Sequence, residues 1–179
     1  MNDISLVRRV GLVVLSLAIA GMLFRGSIAS ALIARGDDAL RAGDGRRAFT
    51  YYERATIFDA ASGVAADRWA FHLASTHDIV DARQAVVVAD AALRIRSHDG
   101  ALYADRALAE QELRQWTFAE RDFSLAARFL HDARYEQLSG KAALLLGKPA
   151  IARWHFTQAL RDDPSFAPAR RALRSMARP

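Results

Sequence analysis

Proton transfer, metal binding and nucleophilic attack draw on a short list of side chains, and this chain holds five histidines, twenty aspartates and glutamates, and no cysteine. Without cysteine there are no disulfides, thiolate metal sites or thiol nucleophiles. Histidines that share a metal from one helix stand in patterns such as HExxH or HxxxH. His72 and His77 are five apart, and His98, His131 and His155 are isolated, so all five read as structural or surface residues. Asp37-Asp38 and Asp162-Asp163 are adjacent carboxylates. They stand at helix positions where a solvated or capping role is the default. Gly43-Asp44-Gly45 and Gly147-Lys148-Pro149 lack the GxxxxGK[ST] pattern of a phosphate loop, and no serine stands in GxSxG. Trp69, Trp116 and Trp154 read as packing or turn residues. No catalytic residue, cofactor or metal is expected, and the chain is not read as an enzyme.

The balance of charge also narrows the partners. The net charge is +5, but every basic residue except Lys141 and Lys148 is arginine and no five occur in a run. The basicity is spread over the sequence, which argues against nucleic acid. With 52% apolar and 25% charged residues, the chain has the composition of a globular fold rather than of a disordered segment.

The N-terminus stands apart. Val10 to Phe24 carries no charge, with Arg8-Arg9 before it and Arg25 after it. As a helix this run spans about 22 Å. Leu6 and Val7, with the arginines snorkelling outward, bring it near the thickness of a bilayer core, about 30 Å. It reads as an uncleaved signal anchor over residues 1–28 with the remainder outside the cytoplasm. A cleaved signal, cut after Ala29 or Ala31, and a helix buried in a soluble protein are the alternatives. Arg25 disfavours cleavage, because that region is normally uncharged.

The elements that follow are set by a repeat. Ala48-Tyr52-Ala55, Ala85-Ala89-Ala92, Ala119-Phe123-Ala126 and Ala152-Phe156-Ala159 share one spacing, and their first alanines are 37, 34 and 33 residues apart. A period near 34 with small residues at fixed positions marks a stack of helical hairpins. On these residues the sequence resembles the tetratricopeptide repeat (TPR) family. The resemblance implies an all-α solenoid of about four repeats, at 29–62, 66–99, 100–132 and 133–166, closed by a cap helix at 167–178.

In that family small residues at positions 8, 20 and 27 let two helices cross, and an aromatic near position 24 fills the space toward the next repeat. Position 8 is Gly36, Leu73, Ala107 and Gly140 in turn. Leu73, together with Ala89 in place of an aromatic, makes repeat 2 the weakest. Residues 60–65 are extra spacing and form the expected flexible joint. Arg170, Arg171, Arg174 and Arg178 lie opposite the apolar stripe of the cap, as suits a solvated outer face.

The resemblance further implies a partner-binding groove lined by the first helix of each hairpin. By position, this groove holds Ile33, Asp37 and Arg41; Asp67, Phe71, His77 and Asp78; Asp105, Gln111 and Glu112; and Arg134, Gln137 and Lys141. Ile33 and Asp37 stand where a chaperone-binding carboxylate clamp has Lys and Asn, so that clamp is not expected. The groove reads as acidic across repeats 2 and 3, without Lys or Arg there, and basic at Arg134 and Lys141. A basic partner segment with an acidic end toward repeat 4 would suit it. The implied function is a membrane-tethered adaptor that assembles a protein partner at the bacterial inner membrane, with its repeats in the periplasm. Maturation of a periplasmic redox enzyme, such as cytochrome c or methanol-oxidation systems, is one setting. A soluble secreted periplasmic chaperone and a pilus or secretion-complex scaffold are the alternatives.

Overall fold

A computed structural model describes residues 3–58 and 63–177. The start of the expected joint, residues 60–62, and Arg178 of the cap lie outside the described residues. Every regular element among the described residues is a helix: α1 (Asp3–Arg41), α2 (Gly45–Phe58), α3 (Val64–Ala74), α4 (Ile79–Leu93), α5 (Gly100–Glu112), α6 (Trp116–Leu130), α7 (Ala133–Leu145), α8 (Pro149–Asp162) and α9 (Ala167–Met176). The chain forms two compact units, the first ending at Ala65 and the second beginning at Ala66.

In the first unit α1 runs unbroken through 39 residues, about 58 Å. Its two halves have different surroundings. Val10 to Phe24 is exposed along its length, with Leu17 at 67% and Met22 at 74%, which argues against a buried core helix. From Arg25 onward the helix packs on α2. The Arg25 guanidinium donates to the Ile57 carbonyl at 3.2 Å. Ala29, Ala39, Ala48 and Ala55 are buried between the helices, and the Tyr52 hydroxyl donates to Asp37 Oδ1 at 2.6 Å. Gly36 makes the crossing possible, since a Cβ there would stand 2.5 Å from the Tyr52 ring.

In the second unit α4 packs on α5, α5 on α6, α6 on α7, α7 on α8, and α8 on α9. All eight repeat alanines of the chain are buried, as are Tyr52, Phe123 and Phe156. Each aromatic fills the hollow beside position 8 of its own hairpin. Phe156 lies over Gly140, and Phe123 shares a cluster with Ala107 and Ala119. Phe123 also stacks on Tyr135 of α7 at 6.5 Å, so the expected contact toward the next repeat is made as well. Leu73, the bulky residue of repeat 2, is fully buried. The cap α9 lays Ala169, Ala172, Leu173 and Met176 on the core of the last hairpin.

The turns between the helices of each hairpin are alike in backbone. The residue before the second helix's N-cap is left-handed in every case: Gly43 at φ 77°, His77 at 56°, Arg114 at 56° and Gly147 at 68°. That conformation suits glycine and strains a residue with a Cβ. Two of the four positions carry large side chains nonetheless.

Candidate partner-binding site

The residues assigned by register fall into several local settings. In the first unit Asp37 accepts from Tyr52, and Arg41 pairs with Asp38 at 2.8 Å on the exposed last turn of α1. In the second unit Phe71 is 54% exposed on α3. Asp78 caps α4, its Oδ1 accepting from the amides of Val80 and Asp81. Arg134 is exposed and forks onto Asp132, which holds the Asp132 carboxyl below its ordinary range. Gln137 is half-buried on α7.

Asp67 and Asp105 meet and share a proton. Asp105 is 5% exposed, and burial together with the Asp67 charge pushes its carboxyl up to about 9. Burial raises Asp67 too, while the hydrogen bond from Asp105 draws it back. At neutral pH protonated Asp105 therefore donates to the Asp67 carboxylate, and its Oδ2 has no partner. The expected acidic middle of the groove loses one of its charges in this way.

His77, Gln111, Glu112 and Lys141 come together. They line one open hollow of about 780 Å³, with Ile79, Trp116 and Leu145 as its apolar walls. His77 Nδ1 stands 3.0 Å from Glu112 Oε1. Arg114 also lines the hollow, so a cation from repeat 3 is present where the register placed none. Trp116 is thus a half-buried wall, and Trp154 is 54% exposed rather than packed.

Two buried polar networks lie outside the groove positions, and each ties three consecutive helices. Arg106 of α5 bonds Asp90 of α4 and the fully buried Asp122 of α6. Both carboxylates outweigh the burial that would otherwise favour neutral Arg106, and they hold it charged. Glu110 lies nearby, 4% exposed and pushed up to about 8 by burial, with Oε2 unpartnered. In the second network His155 of α8 stands 2.7 Å from Glu136 Oε2 of α7 and 2.9 Å from Glu120 Oε1 of α6. Ser139 donates to the Glu120 carbonyl at 2.6 Å. Burial works against the imidazolium, but the bonds to Glu136 and Glu120 prevail and raise its pKa. With both ring nitrogens engaged, His155 has no lone pair for a metal.

These pairs have a sequence signal, a fixed offset of 16 residues. It links Arg106 to Asp122 and Ser139 to His155, one position before the Gly36–Tyr52 and Gly140–Phe156 contacts. Hairpin positions 7 and 23 thus form a polar pair in the last two repeats.

No protein-family model matches the sequence, and no curated protein does. Solved structures do. MamA 41-end from Desulfovibrio magneticus RS-1 aligns with a TM-score of 0.65 at 19% identity, over 78% of this chain and 77% of that one. A crystal structure of MamA gives 0.64 at 18% identity, over 78% and 80%. TTC0263, a thermophilic TPR protein in Thermus thermophilus, gives 0.53 at 15% identity, over 82% and 97%. Together with the buried alanine–aromatic repeat and the glycine crossings, these likenesses give the chain a TPR-type fold.

Proposed function

We propose that the protein is a membrane-tethered adaptor, anchored by the first half of α1 in a bacterial inner membrane and holding a protein partner with its periplasmic repeats. The observation that carries this reading is the continuity of α1. Its exposed apolar half passes without a break into the half that packs on α2. By length and composition the helix can cross a membrane. A hairpin built directly on its anchor stays at the membrane surface, where confinement raises the effective concentration of a membrane-borne partner. Each contact of the repeats can then be individually weak.

The alternative of a cleaved, soluble chaperone sits poorly with the same helix. Cutting after Ala29 or Ala31 removes Arg25, which bonds the end of α2, and the buried Ala29. Fractionation followed by N-terminal sequencing tests the anchor: an intact N-terminus in the membrane fraction is expected, and a soluble chain starting at Ser30 or Leu32 overturns it. Cross-linking of the anchored protein in cells, with mass spectrometry of the captured chains, tests the adaptor role. A specific envelope protein is the expected capture.

A further inference from the structure

The hollow between α5, α6 and α7 and the turn before α4 offers a more specific recognition site, and its use rests on the adaptor reading. The backbone gives the first indication. At the left-handed position before each second helix, the outer repeats use Gly43 and Gly147, while the middle repeats use His77 and Arg114. Both of these strained side chains line the same hollow. Strain kept where glycine serves the turn better is a mark of a functional surface.

Charge gives the second indication. Glu112 is engaged with His77, whereas Arg114 and Lys141 are exposed and neither is among the ion pairs of the described residues. Two free cations thus face a space whose walls include Ile79 and Leu145, 57% and 61% exposed. A volume of about 780 Å³ takes several side chains rather than a lone carboxylate.

We propose that this hollow binds an internal segment of the partner protein in which Asp or Glu lies beside a bulky apolar residue, the carboxylate meeting Arg114 and Lys141 and the apolar side chain covering Trp116 and Leu145. Cationic side chains around an apolar wall select both charge and shape. Acetylated and amidated ends leave the acidic side chain as the carboxylate source, so an array of such octapeptides tests the site with the full chain in detergent micelles. Peptides pairing an acid with Leu, Phe or Trp are expected to bind, and their lysine counterparts are not. Arg114→Gly with Lys141→Gln keeps the turn backbone and should weaken binding at least tenfold. An array without acid preference, undiminished binding by the double variant, or binding only to peptides with a free C-terminal carboxylate overturns the proposal. So does full retention of the cellular cross-linked partner by the double variant, a result that leaves the adaptor role standing.

Discussion

The α-carbon of Gly140 lies against the ring of Phe156 so closely that a Cβ built on it would stand 2.6 Å from Cε1 and 2.9 Å from Cδ1. Gly36 and Tyr52 repeat the arrangement at 2.5 Å. Neither ring has room to yield, because Phe156 and Tyr52 are both fully buried and Tyr52 is tethered to Asp37. Glycine here is the space an aromatic needs, not a backbone requirement.

Gly140→Ala should therefore destabilise the fold even though alanine favours a helix interior by about 1 kcal/mol. Overpacking of about 1–3 kcal/mol outweighs that gain. Thermal unfolding should show a lower midpoint for Gly140→Ala, restored in part by Phe156→Leu. Gly26→Ala is the control, since nothing lies within 4 Å of a Cβ there. A Gly140→Ala variant as stable as the parent would remove the packing argument.

His155 predicts a pH dependence. Its folded pKa is raised by Glu136 and Glu120, so the folded state holds the proton more tightly than the unfolded chain. The stability it contributes is complete below the ordinary histidine value, about 6.5, and is lost as pH rises through the raised folded value. Denaturation midpoints should fall more steeply across that window in the parent than in His155→Gln, which keeps only the decline that the buried acids cause. His155→Leu leaves the buried Glu136 unpaired and should cost about 3–5 kcal/mol.

Asp105 carries the same sign for a different reason. Its folded pKa, about 9, lies far above that of an unfolded aspartate, about 3.9. The native state thus keeps a proton that the unfolded chain releases. Stability falls progressively as pH climbs from the lower value to the higher, then levels off. Asp105→Asn supplies a neutral donor to Asp67 at every pH. It should flatten this decline and gain more than about 1 kcal/mol at pH 9, read from denaturation midpoints between pH 4 and 10. A variant that tracks the parent across that range would contradict the shared proton.

The parts of this structure that can be read from the sequence are those that recur. Ala48, Ala55, Ala119, Ala126, Ala152 and Ala159 are all completely buried, because close helix crossings admit no larger side chain and the constraint returns every repeat. Asp105 reads as groove charge because register gives a position along a helix but not the depth of the side chain. The His155 network is hidden for another reason: its carboxylates are 19 and 35 residues away on two other helices. Arg114 escapes because the groove positions of repeat 3 end at Glu112, the last residue of α5, whereas the hollow continues into the turn. The apolar N-terminus is legible as a charge-free run, and the structure adds that it continues unbroken into the helix of the first hairpin.

That junction makes a last prediction. Arg25 is close to the α2 end of the first hairpin, bonding the Ile57 carbonyl at 3.2 Å, and Ala29 is 1% exposed. A chain that begins at Ser30 loses both, along with the helical turns that precede them. The expected result is a first hairpin that opens locally before the rest of the protein. Hydrogen exchange should show faster amide exchange in α2 of the shortened chain than in the full chain, with α6 to α8 unaffected. Arg25→Ala alone removes one exposed bond and should have a much smaller effect. Equal protection of α2 in the shortened and full chains would mean that the helix before Ser30 adds nothing to the first hairpin.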